Sequence, residues 1–141
     1  GQPASTPKAE PINAVADGDP IQIEQMRITN DSDARFSLTF IGDRQLSASN
    51  FNLNYSGRNK LILTISNAKL KNDPLYVFGD GNTNNKLVSK LKGAVGQKDG
   101  IPIVILEITL APGIKDSDIE THAGKGGNNV ALTLDIIKKK K

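Results

Sequence analysis

The chain has 141 residues, a formal net charge of +3, no cysteine, no tryptophan, four Phe and two Tyr. Without cysteine there is neither a disulfide framework nor a thiolate metal site, and so few rings leave little with which to stack sugars or unpaired bases. Four of the basic residues form the run Lys138 to Lys141, and without them 14 basic side chains face 15 acidic ones, so the body lacks the cationic surface of a nucleic-acid reader.

The length suits one domain with its own core, and no apolar run approaches the roughly 20 residues that cross a bilayer as a helix. Residues 1–20 read as a flexible linker: Pro3, Pro7, Pro11 and Pro20 interrupt small and polar residues. Within it, Ile12 to Ala16 is the one stretch able to add an edge strand. The lack of an initiating Met, with Gly1 in its place, reads as a fragment of a longer precursor.

From Ile21 the pattern is β. Ile21 and Ile23 alternate with polar residues, and Met26 and Ile28 continue on the opposite parity, which predicts a bulge or a break. Asn30 to Asp33 is turn chemistry. Phe36, Leu38 and Phe40 alternate with Arg35, Ser37 and Thr39, the pattern of a half-buried strand. Phe51, Leu53 and Tyr55 form the next strand, Ser56 to Asn59 a hairpin turn around Gly57, and Leu61, Leu63 and Ile65 the return. Asn67 to Asn85 is loop-rich, with Leu75, Val77 and Phe78 able to pack as a short piece.

Leu87, Val88 and Leu91 open the second set, and Gly96 to Gly100 is a turn. Ile101 to Leu110 is the most apolar run, with Val104, Leu106, Ile108 and Leu110 on one face and Ile103 and Ile105 on the other, which predicts a central strand. Pro112-Gly113 ends it. Ile114 to Thr121 reads as an exposed strand, Gly124 to Asn129 as a hairpin turn, and Val130, Leu132, Leu134 and Ile136 as the last strand. No useful stretch shows a 3.6-residue apolar period. The fold class is therefore all-β: a β-sandwich of two pseudo-symmetric, mainly antiparallel sheets over residues 21–137, followed by a basic tail, 138–141.

The pseudo-symmetry rests on a repeat at an offset of roughly 65 to 70 residues. Ile23, Met26-Arg27, Phe36 to Phe40 and Asn59 to Ile65 are answered by Val88, Leu91-Lys92, Val104 to Ile108 and Asn128 to Leu134. Each half has one apolar face that it cannot bury alone, and pairing the faces buries both.

Three stretches resemble the AMIN domain, a family found at the N-terminus of periplasmic N-acetylmuramoyl-L-alanine amidases and type IV pilus secretins. They are Phe51-Asn52-Leu53 through Arg58 to Leu70, Val88 to Gln97, and Ile103 to Ile108 with Gly127 to Leu132. The chain departs from the family's usual Asp at Thr64 and Glu107, and from its usual Arg at Pro102. The resemblance covers nearly all of residues 21–137. It implies two symmetric sheets, a periplasmic location within a secreted or outer-membrane protein, and non-catalytic anchoring to peptidoglycan, with a secretin as first parent and an amidase as second.

Peptidoglycan offers hydroxyls, N-acetyl amides and carboxylates, for which Arg, Lys and Asn are suited donors. The candidate ligand-binding residues are Arg27, Arg35, Arg58, Asn59, Lys60, Lys92 and Asn129, with Arg44 on a loop and Tyr55 able to pack on a ring. The rival reading is a protein–protein module of an envelope complex, docking through an edge strand or the 67–85 loop. An enzyme is not expected: there is one histidine, His122, and no nucleophile–base pair is visible. No cofactor or metal is expected. Asp116, Asp118, Glu120 and His122 alternate as a solvated strand face, Asp73 with Asp80-Gly81-Asn82 lacks the distal Glu of a calcium loop, and Gly124 to Gly127 lacks the Ser or Thr and the helix of a phosphate loop.

Overall fold

A computed structural model describes residues 19–71 and 81–140. The expected edge strand at Ile12 to Ala16, the piece at Leu75 to Phe78, and Asp73 and Asp80 lie outside the described residues. Among the described residues nine strands follow in chain order: β1 (Ile21–Ser32), β2 (Arg35–Gly42), β3 (Phe51–Tyr55), β4 (Lys60–Ser66), β5 (Ala68–Leu70), β6 (Val88–Lys98), β7 (Ile101–Leu110), β8 (Ile119–Lys125) and β9 (Ala131–Lys138). One sheet has the order β5-β1-β2-β9-β8 and the other β3-β4-β7-β6. All pairs are antiparallel except the short β1–β5 pair. The chain is an all-β sandwich.

Alternation builds the core. Phe36, Leu38 and Phe40 from β2 and Leu132, Leu134 and Ile136 from β9 are buried on one layer. Leu61, Leu63 and Ile65 from β4 and Val104, Leu106 and Ile108 from β7 are buried on the other. The Phe40 and Phe51 rings meet edge to face at 5.1 Å, the geometry their quadrupoles favour. β7 lies between β4 and β6, the interior place its apolar run requires.

The two halves are related strand by strand. Replacing β1, β2, β3 and β4 by β6, β7, β8 and β9 converts the order β1-β2-β9-β8 into β6-β7-β4-β3, which is the other sheet. The registers obey the same exchange. Met26 faces Phe40 as Leu91 faces Ile108; Phe36, Leu38 and Phe40 face Ile136, Leu134 and Leu132 as Val104, Leu106 and Ile108 face Ile65, Leu63 and Leu61. The register shift between Ile23 and Gln25 is matched by one between Val88 and Lys90, so the parity change read in β1 is a bulge.

Loop hydrogen bonds repeat too. Gly42 N donates to Val130 O as Leu110 N donates to Asn59 O, both at 2.8 Å, and Asp43 N to Gln22 O (2.9 Å) as Ala111 N to Leu87 O (2.8 Å). A one-turn 3-10 helix precedes both β3 and β8, at Ala48–Asn50 and Asp116–Asp118. Asn50 Oδ1 accepts from Ser47 N at 3.1 Å and Asp118 Oδ2 from Lys115 N at 2.9 Å.

Some boundaries differ from the sequence reading. Asn30 to Ser32 remain in β1 and the turn falls at Asp33-Ala34; β6 continues to Lys98, so its turn is Asp99-Gly100, with positive φ at both residues. Asp116 and Asp118 belong to the 3-10 turn, so they do not share a strand face with Glu120 and His122. The repeat in the last strand is displaced by two residues: Leu61 corresponds to Leu132, where the sequence alignment set it against Val130. Lys138 is in β9, and its amide donates to Ala34 O at 2.9 Å while that of Lys139 donates to Asp118 O at 2.9 Å, so the start of the basic run is tied to the sandwich.

Candidate functional site

The outer faces of the two sheets occupy matched positions and differ in chemistry. On the four-stranded sheet the central outward positions are Ile62 and Thr64 of β4 with Ile103, Ile105 and Glu107 of β7. Their counterparts on the five-stranded sheet are Thr133 and Asp135 of β9 with Arg35, Ser37 and Thr39 of β2. The core is apolar in both halves, whereas one outer face is polar.

That polar face is hollowed. A groove of about 470 Å³ runs across it, with Arg27 and Thr29 on the β1 side, Ser37, Thr39, Thr133 and Asp135 on its floor, and the glycines of β8 and its turn opposite. Ser37 and Thr39 are buried, at 3% and 6% exposure, although they point away from the core. Gly126 closes the far wall: a Cβ there would stand 2.7 Å from Thr133 Oγ1 and 3.2 Å from Ala131 Cβ. Only a residue without a side chain lets the backbone approach the floor so closely.

Three hydroxyls form a row across three strands. Thr29 Oγ1 lies 2.8 Å from Thr39 Oγ1, which lies 2.8 Å from Thr133 Oγ1. Each hydroxyl carries one donor and two acceptor sites, so two internal bonds leave acceptor sites and one donor free along the row. Beside it, Asp135 accepts from Ser37 Oγ at 2.5 Å and from Arg35 at 2.9 and 3.4 Å. Burial works to raise the Asp135 pKa. The hydrogen bonds from Ser37 and Arg35, with the charges of Arg35 and His122, overcome it and hold the carboxyl below its usual range.

The predicted residues divide. Arg27 and Arg35 both line this groove. Arg35 is spent on Asp135, whereas Arg27 has no ion pair among the described residues. Lys60 and Lys92 flank Glu107 on the other sheet, with Lys60 Nζ at 2.9 Å from its carboxylate. The hydrogen bond from Lys60 lowers the Glu107 pKa, against some desolvation, and the charges of Lys60, Lys92 and Lys90 add to it. Arg58 and Asn59 lie in the β3–β4 turn and Asn129 in the β8–β9 turn. Their carbonyls accept from Asp116, Leu110 and Leu46, which gives all three a turn-holding role. Arg44 sits 3.5 Å from Asp43. Tyr55 is 43% exposed, and partial burial, then the charge of Asp116, raises its pKa.

The sequence reading missed Thr29, Ser37, Thr39, Thr133 and Asp135. The available signal was a strand whose outward positions were hydroxyls, Ser37 and Thr39, between a basic and an apolar residue. Among the described residues no group of three or more His, Cys, Asp or Glu side chains is placed to hold a metal ion, and no helix is long and apolar enough to cross a membrane. Compared with protein-family models, curated proteins and solved structures, the chain matches none.

Proposed function

We propose that this is a non-catalytic targeting domain of the bacterial periplasm that binds peptidoglycan through the polar groove of the five-stranded sheet. The parent that fits the sequence resemblance first is a type IV pilus secretin, and second a cell-wall amidase. The observation that carries the reading is that one of two equivalent outer faces is a hollow lined by hydroxyls, an Arg35–Asp135 ion pair and the cation Arg27. Hydroxyls and guanidinium groups match the hydroxyls, amides and carboxylates of a glycan with short peptides. Ser37 donates to Asp135, but that carboxylate is also paired with Arg35 and held below its usual range, a poor base, which favours binding over catalysis.

Co-sedimentation with purified sacculi at low salt tests this. The chain is expected to pellet with sacculi, and the double substitution Thr39→Val with Thr133→Val to weaken pelleting severalfold. A chain that stays in the supernatant sinks the proposal.

One observation favours a second reading. The other outer face carries Ile62, Ile103 and Ile105 with Lys60, Lys90 and Lys92 around a single Glu107. An apolar centre with a basic rim suits a protein surface, and docking within an envelope complex is the function it would serve.

A further inference from the structure

Resting on the glycan reading, we propose that the groove selects the carboxylate-bearing form of an N-acetylated glycan, holding the carboxylate with Arg27 while the threonine row holds hydroxyls and amides. The internal repeat supplies the argument. Lys92 is the counterpart of Arg27, and it stands directly across from Glu107 on the next strand. Arg27 stands directly across from Thr39. The same position thus holds a cation opposite a carboxylate in one half and a cation opposite a neutral hydroxyl in the other. Arg27 lines the groove, and among the described residues it has no carboxylate within ion-pair distance; Lys125 pairs with the core residue Leu132, so its side chain leaves β8 on the opposite side from Gly124.

The groove's own carboxylate does not fill that role. Asp135 is occupied by Arg35 and Ser37, which leaves Arg27 as uncompensated positive charge beside the threonine row. Arg presents a planar fork that matches a carboxylate with two parallel hydrogen bonds. The row of threonines runs across the strands rather than along them. With strands about 4.8 Å apart, the four strands that line the groove span about 14 Å, the reach of a short oligosaccharide lying crosswise. The backbone at Gly124 and Gly126 bounds that path without side chains to obstruct it.

Two sources offer such a carboxylate: the lactyl group of a glycan stripped of peptide, and the end of a stem peptide on an intact one. NMR titration of the full chain with three probes separates them. The probes are the N-acetylglucosamine–N-acetylmuramic acid disaccharide with a free lactyl carboxylate, the same disaccharide carrying a stem peptide, and the neutral N-acetylglucosamine disaccharide. At least one acidic probe is expected to bind about tenfold more tightly than the neutral one. Shifts should centre on Thr39 and Thr133, and the preference should shrink as salt is added.

Arg27→Gln should remove most of that preference, weakening the acidic probe far more than the neutral one. Lys98→Gln, on the other sheet, should alter nothing, and unchanged unfolding curves exclude misfolding as the cause. Equal binding of neutral and acidic sugars, insensitive to Arg27→Gln, overturns the carboxylate assignment and leaves the glycan reading standing. An equal loss on Lys98→Gln overturns it as well, by exposing nonspecific charge attraction. Failure of every probe together with failure to pellet with sacculi removes the glycan reading itself.

Discussion

Leu38 and Leu106 occupy equivalent places in the two halves, and both are 0% exposed. Truncating either to alanine removes the same atoms, so any difference in cost reports on how well each site can close around the void. Leu106 faces Leu63 on one side and Gly93 on the other, and Gly93 has nothing to move into the gap. Leu38 faces Leu134 and Ile28. Ile28 is 40% exposed and gains by turning inward. Buried Leu→Ala changes cost about 2.7–5 kcal/mol, rising by about 24 cal/mol per Å³ of cavity that remains. If Ile28 fills about 40 Å³, Leu38→Ala should be milder by about 1 kcal/mol. The expected costs are about 3 kcal/mol for Leu38→Ala and about 4 kcal/mol for Leu106→Ala. Urea unfolding with an unchanged slope measures both. A larger cost for Leu38→Ala, or costs below about 1.5 kcal/mol for both, would refute the packing argument.

Gly81 has φ +83, and a Cβ there would collide with the carbonyl of Leu91, whose amide donates to Gly81 O at 2.8 Å. Gly81→Ala should therefore cost about 3 kcal/mol or more in the same assay, from left-handed strain plus overpacking, and speed hydrogen exchange at Leu91. Because the Asp135 carboxyl is held below its unfolded value of about 3.9, its stabilising contribution is complete above that pH and lost as pH falls through the folded value. Asp135→Asn should cost about 1–2 kcal/mol at neutral pH, discounted for the half-exposed Arg35, and should flatten that part of the acid limb in pH-dependent unfolding. Lys60→Met, which breaks a one-third-exposed ion pair with Glu107, should shift stability by less than about 1 kcal/mol, an effect that fades with added salt.

Strand existence and facing were legible because alternation reports burial directly. Phe36/Leu38/Phe40 and the run from Ile101 to Leu110 became an inward-facing strand and an interior strand, and the parity change after Ile23 was a bulge. Register was less legible. The side-chain period in a strand is two, so aligning Leu61 with Val130 or with Leu132 gives the same inward set; only cross-strand partners distinguish them. Ile114 to Asp118 was misread as strand because its alternating carboxylates imitate a solvated face. In the structure, Asp118 instead caps a 3-10 turn with its own side chain. Of the candidate site, the cations Arg27 and Arg35 could be found one by one. Their convergence could not, because the groove joins residues about a hundred positions apart, such as Arg35 and Asp135.

The exchange of hairpins between layers bears on how this molecule can be divided and multiplied. Each half donates one hairpin to either sheet, so a chain severed between residues 71 and 81 should yield two pieces that are unstable singly and reassemble when mixed. Two identical chains joined in this way would be obliged to display the same surface front and back. A continuous chain escapes that obligation, and here one side is hydroxyl-lined while the other is rich in isoleucine. Among the described residues one of the two equivalent sides carries a hollow of this kind, so a firm hold on a polymer of the proposed kind would come from several copies acting together.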